Sequence, residues 1–279
     1  MNNALLQSVI ALCQQAGEAI LEVYHRSEGM DISTKSDDSP VTAADLAAHA
    51  LLAPGLQSLL AGVPLLSEEG SQPDFATRSG WDHYWLIDPL DGTKEFIRRN
   101  GEFTVNVALI EQGSPVLGVV HVPVTGITYA GIPGEGAIKQ VQGQSTAIHT
   151  RPLMPTEKSG HPVEVVASRR HGTENVDRLL EKVATHLGEV NTQNIGSSLK
   201  LCLIAEGKAD FYPRLAPTCE WDTAAAQAVV EAAGGLVLND RLQPLRYNQK
   251  DSLLNPDFFV IGDPEYDWWS SLLSSPPIH

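Results

Sequence analysis

The segment Trp85–Phe96, WLIDPLDGTKEF, is an apolar run that ends in two aspartates three positions apart, Asp88 and Asp91. Ionised aspartates offer only acceptor oxygens, and a close pair repels itself unless a cation lies between them. Pro89 and Gly92 fix the backbone between and after the pair, and the hydroxyl of Thr93 follows at once. The pattern reads as an oxygen cradle for a hard metal ion at the end of a buried strand. Such a cradle lets Asp88 serve two ions, Asp91 one, and the Leu90 carbonyl the other. Two ions about 4 Å apart can clamp the attacking and leaving oxygens of an in-line phosphoryl displacement.

Two more acidic elements accompany it, Ser67-Glu68-Glu69 upstream and Trp221-Asp222-Thr223-Ala224-Ala225 downstream. Taken singly, each has an ordinary structural explanation. Asp-Pro and Asp-Gly favour turns, adjacent glutamates are usually solvated, Asp222 can cap the helix after it, and Asp45 completes a capping box with Thr42. Their joint occurrence points instead to one magnesium site held by Glu68, Asp88, Leu90, Asp91 and Asp222, because magnesium takes oxygen ligands and few carboxylates.

The formal charge of −15 excludes nucleic-acid wrapping, which needs a basic footprint. It also opposes an anionic phosphate substrate, unless bound divalent cations reverse the local field. The three cysteines, Cys13, Cys202 and Cys219, have neither zinc nor disulfide spacing. The nine histidines are scattered. No apolar run approaches the roughly 20 residues of a membrane span, and Gln7, Gln14, Gln15 and Glu18 break any secretion signal, so a cytoplasmic location is expected.

A second anion site is legible further on. Gly196-Ser197-Ser198 opens a helix, and Lys200 and Arg214 lie nearby in sequence. Helix-start amides with a point charge suit a phosphate. The alternative is a serine cap with Lys200 on a solvated face. Arg98, Arg99, Arg169 and Arg170 read as surface residues.

The elements that must position these groups follow from periodicity. Helical spacing predicts a core-facing helix over residues 4–25 and a second from Thr42, kinked or divided at Pro54-Gly55. Strands are expected at residues 63–66, 84–87, 103–110 and 116–121, the last two joined by a Glu111–Pro115 hairpin turn, with another pair inside 127–138. Residues 71–83 read as a polar loop. After a polar, Pro-bearing linker around 150–162 the pattern alternates: strand 163–167, helix 174–186, helix 198–206 ended by Gly207, strand 209–212, helix 223–233 ended by Gly234 and Gly235, strand 236–238. The reading is an α+β metal-binding domain, residues 1–150, and an α/β domain, residues 151–279, that completes the active site.

Together, S-E-E, D-P-L-D-G-T and W-D-T-A-A followed by E-A-A-G-G resemble the lithium-sensitive, magnesium-dependent phosphomonoesterases, which include inositol monophosphatase, fructose-1,6-bisphosphatase and the 3'(2'),5'-bisphosphate nucleotidases. The resemblance covers nearly the whole chain. The nucleotidase branch is similar over Ser39–Asp45, Asp88–Asn106, Ile195–Leu201 and Ala205–Leu215, and Lys94-Glu95 stand where inositol phosphatases usually carry Thr and Asn.

The resemblance implies a layered αβαβα sandwich and two magnesium ions, or three with Asp45 reaching the third through water. It makes Glu68, Asp88, Asp91 and Asp222 side-chain ligands and Leu90 a carbonyl ligand, with Glu69 behind them. Glu68 and Thr93 would orient the attacking water; Gly92, Thr93, Ser197, Lys200 and Arg214 would bind substrate. The implied substrate is adenosine 3',5'-bisphosphate, with 3'-phosphoadenylyl sulfate second. An inositol phosphatase, a sugar bisphosphatase and a non-catalytic metal or nucleotide sensor are the alternatives. Monomer and homodimer both stay open. Relatives of this kind also raise weak peripheral attachment to the cytoplasmic face of the inner membrane, although the chain shows no amphipathic anchor.

Overall fold

The computed structural model describes residues 4–26, 32–34, 40–167 and 174–268. Helix α1 (Ala4–Tyr24) buries Leu6, Val9, Cys13, Ala16 and Ile20 in one core, while Gln15, Glu18 and Glu22 stay exposed. By length and composition this helix could cross a membrane, which the sequence reading did not expect. Its apolar face is instead used up in packing.

Strands β1 (Ile32–Thr34) and β2 (Pro40–Thr42) form an antiparallel pair that leads into α2 (Ala43–Leu59). The capping box is present: Thr42 Oγ1 accepts from the Ala44 N–H at 3.2 Å, and Asp45 Oδ2 accepts from the Thr42 N–H at 2.8 Å. Pro54 and Gly55 do not divide α2, which runs through both. A Cβ on Gly55 would lie 2.6 Å from Leu12 Cδ1, so the glycine admits α1 closely. That packing offsets the hydrogen bond Pro54 removes.

The first sheet has seven strands in chain order: β3 (Leu65–Ser67), β4 (His83–Asp91), β5 (Thr104–Glu111), β6 (Ser114–Val122), β7 (Ile127–Ile132), β8 (Gly136–Val141) and β9 (Gln144–Ile148). Only the β3–β4 pair is parallel. The hairpin turn after β5 is tighter than expected, because Gln112 (φ 47) and Gly113 (φ 76) make a two-residue turn that matches strand twist. The expected loop at 71–83 holds a one-turn helix, α3 (Phe75–Arg78), capped by Asp74. Helix α4 (Thr93–Ile97) follows β4.

The second sheet contains β10 (Val163–Ala167), β11 (Val190–Asn194), β12 (Phe211–Arg214), β13 (Leu236–Asn239) and β14 (Phe258–Ile261), in the order β11-β10-β12-β14-β13. β10 is parallel to both neighbours and β14 antiparallel to both. The remaining helices are α5 (Thr156–Ser159), α6 (Glu174–Leu187), α7 (Leu199–Ala205) and α8 (Ala224–Ala232).

Strand alternation sorts the layers. Trp85, Ile87, Val105 and Val107 face α1 and α2, whereas Tyr84, Leu86, Ala108 and Ile110 share a core with α7 and α8. A Cβ on Gly118 would meet the Ala225 carbonyl oxygen at 2.1 Å, so α8 lies directly on β6. Its Val229 and Val230 reach Val237 and Val260 of the second sheet. Beyond that sheet Val163, Val165 and Phe211 pack with Leu179, Val183 and Leu187 of α6. The architecture is a layered αβαβα sandwich.

Candidate active site

The DPLD segment lies inside β4 rather than beyond it. Asp88 pairs with Asn106 and Asp91 with Thr104, and the register shifts between them. An irregularity of this kind re-aims side chains out of the ladder. Asp88 Oδ1 also accepts the Leu90 N–H at 3.0 Å, so the turn reading of the motif holds locally as well. Parallel β3 sets Ser67 beside Ile87, and the next residue, Glu68, donates its N–H to the Ile87 carbonyl at 3.3 Å. His49 of α2 steadies that corner, its Nδ1 2.9 Å from Ser67 Oγ.

Asp222 ends a short 3-10 turn, Glu220–Asp222, and does not cap α8; its Oδ2 accepts the Cys219 N–H at 2.8 Å. The turn is anchored from behind. The Glu220 carboxylate accepts the Asn248 N–H, and buried Arg78 of α3 donates to Asn248 Oδ1 and to the carbonyls of Lys250 and Asp251. Burial pushes the Glu220 carboxyl up to about 7.

These elements bring ligand oxygens of Glu68, Asp88 and Asp222 within 4.8 Å of one another. Burial, then the charges of Glu68 and Asp91, hold the Asp88 carboxyl well above its usual value. Burial and Asp91 do the same to Asp222. Asp91 lies outside the tight trio but beside it, its Oδ2 accepting from the Ser198 N–H at 2.7 Å and hydroxyl at 2.9 Å. An all-oxygen set whose members repel one another fits a hard divalent cation such as magnesium.

Leu90 is buried, and its carbonyl lies 3.5 Å from Thr93 Oγ1. Gly92 takes φ 97, and a Cβ there would come within 3.2 Å of the Glu102 carbonyl, so the bend into α4 requires glycine. Thr93 Oγ1 donates to Asp45 Oδ1 at 3.2 Å. Asp45 is therefore both the capping residue and a neighbour of Thr93. Burial raises its carboxyl above the ordinary value, against the hydrogen bonds from Thr42.

A cavity of about 190 Å³ extends from Asp91, Gly92 and Asp222 to Ser197, Lys200 and Arg214. Lys200 is not on a solvated face. It is buried, its Nζ donating to the carbonyls of Ser197 at 2.7 Å and Ile195 at 3.2 Å and standing 5.6 Å from the Tyr212 ring centroid. Burial pulls its amine down from 10.5 to about 8. Arg214 donates to the carbonyls of Ala216 and Pro217. Arg98 and Arg99 are exposed, while Arg169 and Arg170 lie outside the described residues.

Sequence reasoning assigned no role to Asn106, Thr104 or Tyr212, and took Ser198 only as part of the helix start at the anion site or as its cap; its side chain makes no capping hydrogen bond. Asn106 Nδ2 donates to Ser198 Oγ at 2.9 Å and Thr104 Oγ1 lies 3.4 Å from Asp91 Oδ2. No local pattern signals the Asn106–Ser198 contact, because its partners are 92 positions apart.

The inositol monophosphatase family profile matches residues 1–261. The chain is 48% identical over 256 residues to the 3'(2'),5'-bisphosphate nucleotidase CysQ of Escherichia coli, covering 92% of this chain and 99% of that protein. The Haemophilus influenzae CysQ is 35% identical over 271 residues, 97% of each chain. The crystal structure of CysQ from Bacteroides thetaiotaomicron superposes with a TM-score of 0.79 at 41% identity, covering 93% of this chain and 97% of that one. Profile, sequence and superposition agree with the acidic site and the five layers: the chain belongs to the inositol monophosphatase family.

Proposed function

We propose that this chain is a magnesium-dependent phosphatase that removes the 3'-phosphate of adenosine 3',5'-bisphosphate, releasing AMP and orthophosphate, and that it also accepts 3'-phosphoadenylyl sulfate. The observation that carries the reading is a single cavity lined both by the carboxylates of Asp91 and Asp222 and by buried Lys200 with Arg214. A cation site beside a cationic pocket suits a substrate with two anionic groups. The nucleotidase relatives support the same substrate.

Glu68, Asp88, Asp91, Asp222 and the Leu90 carbonyl would hold two ions, with Asp45 near a third. When bound, the ions supply positive charge for the phosphate and the departing 3'-oxygen and make water more acidic. The chain's own groups do the rest. Thr93, oriented by Asp45, and Glu68 place the attacking water in line with phosphorus. The N–H groups of Gly92 and Thr93 at the start of α4 face one phosphate. Ser197, Lys200 and Arg214 hold the other, so residues 1–150 supply most of the cation site and residues 151–279 complete it. Lithium is expected to inhibit, and the cytoplasm is the expected location; membrane attachment would show in cell fractionation.

The test is orthophosphate release with magnesium from adenosine 3',5'-bisphosphate, inositol monophosphate and fructose 1,6-bisphosphate in parallel. The nucleotide should lead by about 100-fold or more in kcat/KM. Equal rates, or no release from the nucleotide, would refute the assignment.

A further inference from the structure

Ser198 follows Ser197, a lining residue of this cavity, and is itself 1% exposed. It precedes α7, yet its side chain makes no capping hydrogen bond. Its N–H donates to Asp91 Oδ2 at 2.7 Å, and its hydroxyl lies 2.9 Å from the same oxygen and 2.7 Å from the Asp222 carbonyl oxygen. Asn106 Nδ2 donates to Ser198 Oγ at 2.9 Å. A hydroxyl has one proton and two acceptor sites. With an acceptor site filled by Asn106, the single proton is shared between Asp91 Oδ2 and the Asp222 carbonyl oxygen, the two acceptors in reach. One oxygen of Asp91 is thus held by donors, which fixes the carboxylate's rotation and aims its other oxygen.

The same loop also faces the other way. Ser197 adopts φ 47, a left-handed bend that separates the directions of successive side chains. Ser197 and Lys200 line the cavity, and Lys200 Nζ is tied to the Ser197 carbonyl at 2.7 Å. Ser197 Oγ is buried without a hydrogen-bond partner among the described residues, leaving it ready for a ligand oxygen.

We propose that Ser198 is a positioning residue that holds Asp91 and Asp222 as one cation site and joins that site to the anion pocket at Ser197 and Lys200, so that filling either favours the other. The coupling between the two rests on the bisphosphate reading; the positioning of Asp91 and Asp222 does not. Coupling of binding is reciprocal, so it can be read from the metal side alone.

Ser198→Ala keeps the N–H bond to Asp91 and deletes the hydroxyl. Magnesium binding to the nucleotide-free protein, measured by titration calorimetry, should weaken about 10-fold. Ser198→Thr, which keeps a hydroxyl, should stay within about threefold of the unaltered chain. An unchanged dissociation constant in folded Ser198→Ala, or equal weakening in both variants, overturns the positioning role. Should Ser198→Ala not fold, Ser198→Cys keeps the size of the side chain, replaces the hydroxyl by a much weaker donor, and is read in the same way.

The coupling is read by repeating the magnesium titration with AMP and with adenosine, which differ only in the 5'-phosphate. AMP should tighten magnesium about fivefold more than adenosine in the unaltered chain. That ratio should fall to near one in both Ser198→Ala and Lys200→Ala. A ratio that survives either substitution overturns the coupling. Failure of the unaltered chain to hydrolyse the bisphosphate, with Ser198→Ala still weakening magnesium, overturns the substrate assignment and leaves the positioning role standing.

Discussion

Asp45 divides its two oxygens between two jobs. Oδ2 accepts the Thr42 N–H at 2.8 Å and the Thr42 hydroxyl at 2.6 Å, capping α2, while Oδ1 accepts the Thr93 hydroxyl at 3.2 Å. Asparagine has one acceptor oxygen and one donor group in the same shape. In Asp45→Asn the oxygen can keep the cap, but the amide then donates to Thr93 and reverses that hydrogen bond. The melting temperature should hold while kcat falls about 10²-fold or more, the scale of a lost proton acceptor. Asp45→Ala should lose the rate and also about 1 kcal/mol with the cap. Steady-state kinetics and thermal melts on the two variants separate the roles, and an unaltered kcat in Asp45→Asn would show that Thr93 works without Asp45.

Magnesium should stabilise the fold, and more so as pH rises. Asp88 and Asp222 titrate well above the usual 3.8 because they are buried among other carboxylates. Between 3.8 and those raised values the native metal-free chain binds more protons than the unfolded chain. Their contribution is therefore present at acid pH and lost as pH climbs through the native values. In chelator, the melting temperature should fall on this account as pH rises above the ordinary carboxylate value of 3.8. Magnesium at 100 times its dissociation constant should restore about 2.7 kcal/mol, a shift of roughly 5 °C. A magnesium-induced shift larger at the acid end would contradict the site.

Asp88, Asp91 and Thr93 were legible because one short segment carries them, and Glu68 and Asp222 because each sits in its own small motif. Ser198 was not, since its hydrogen bond to Asp91 spans 107 positions and leaves no local trace. Lys200 sits where a solvated lysine would look the same in sequence; only the fold of residues 195–214 buries it. The edge strands β9 and β11 were missed because QSTAI and VNTQN are mostly exposed and lack apolar alternation. β14, FFVI, was missed for the opposite reason: all four residues are buried, so no period shows. Pro54 does not end α2, because close packing of α1 at Gly55 outweighs a local breaker.

Lys200 should set both affinity and the alkaline limb of turnover. Its buried amine titrates at about 8, so free enzyme loses the positive charge above that pH. For adenosine 3',5'-bisphosphate, kcat/KM should fall above about pH 8. Lys200→Ala should raise KM for the bisphosphate about 10-fold or more and abolish this limb, with little effect on 3'-AMP, which lacks the second phosphate. Equal KM effects on the two substrates would remove Lys200 from the second-phosphate pocket.

Arg151 should matter for stability and not for chemistry. It lies in the segment between the two sheets, and its Nε and Nη2 each bind one oxygen of Asp210 at 2.6 Å. Asp210 Oδ2 also accepts the Glu164 N–H at 2.8 Å, tying that segment to the start of β10. Removing one partner of a fully buried pair costs about 3–5 kcal/mol. Asp210 is buried, but the Arg151 side chain is 38% exposed, so water screens what remains. Arg151→Ala should therefore cost roughly 2 kcal/mol in urea unfolding. Arg151→Lys, which cannot make the two-pronged contact, should recover only part of it. The kcat of the folded fraction should not change in either variant. A loss below about 0.5 kcal/mol in Arg151→Ala would mean that the pair only offsets its own desolvation, and that the segment is held by its other contacts, among them the Leu153 N–H to Asp263 and the Thr150 N–H to the Ala233 carbonyl.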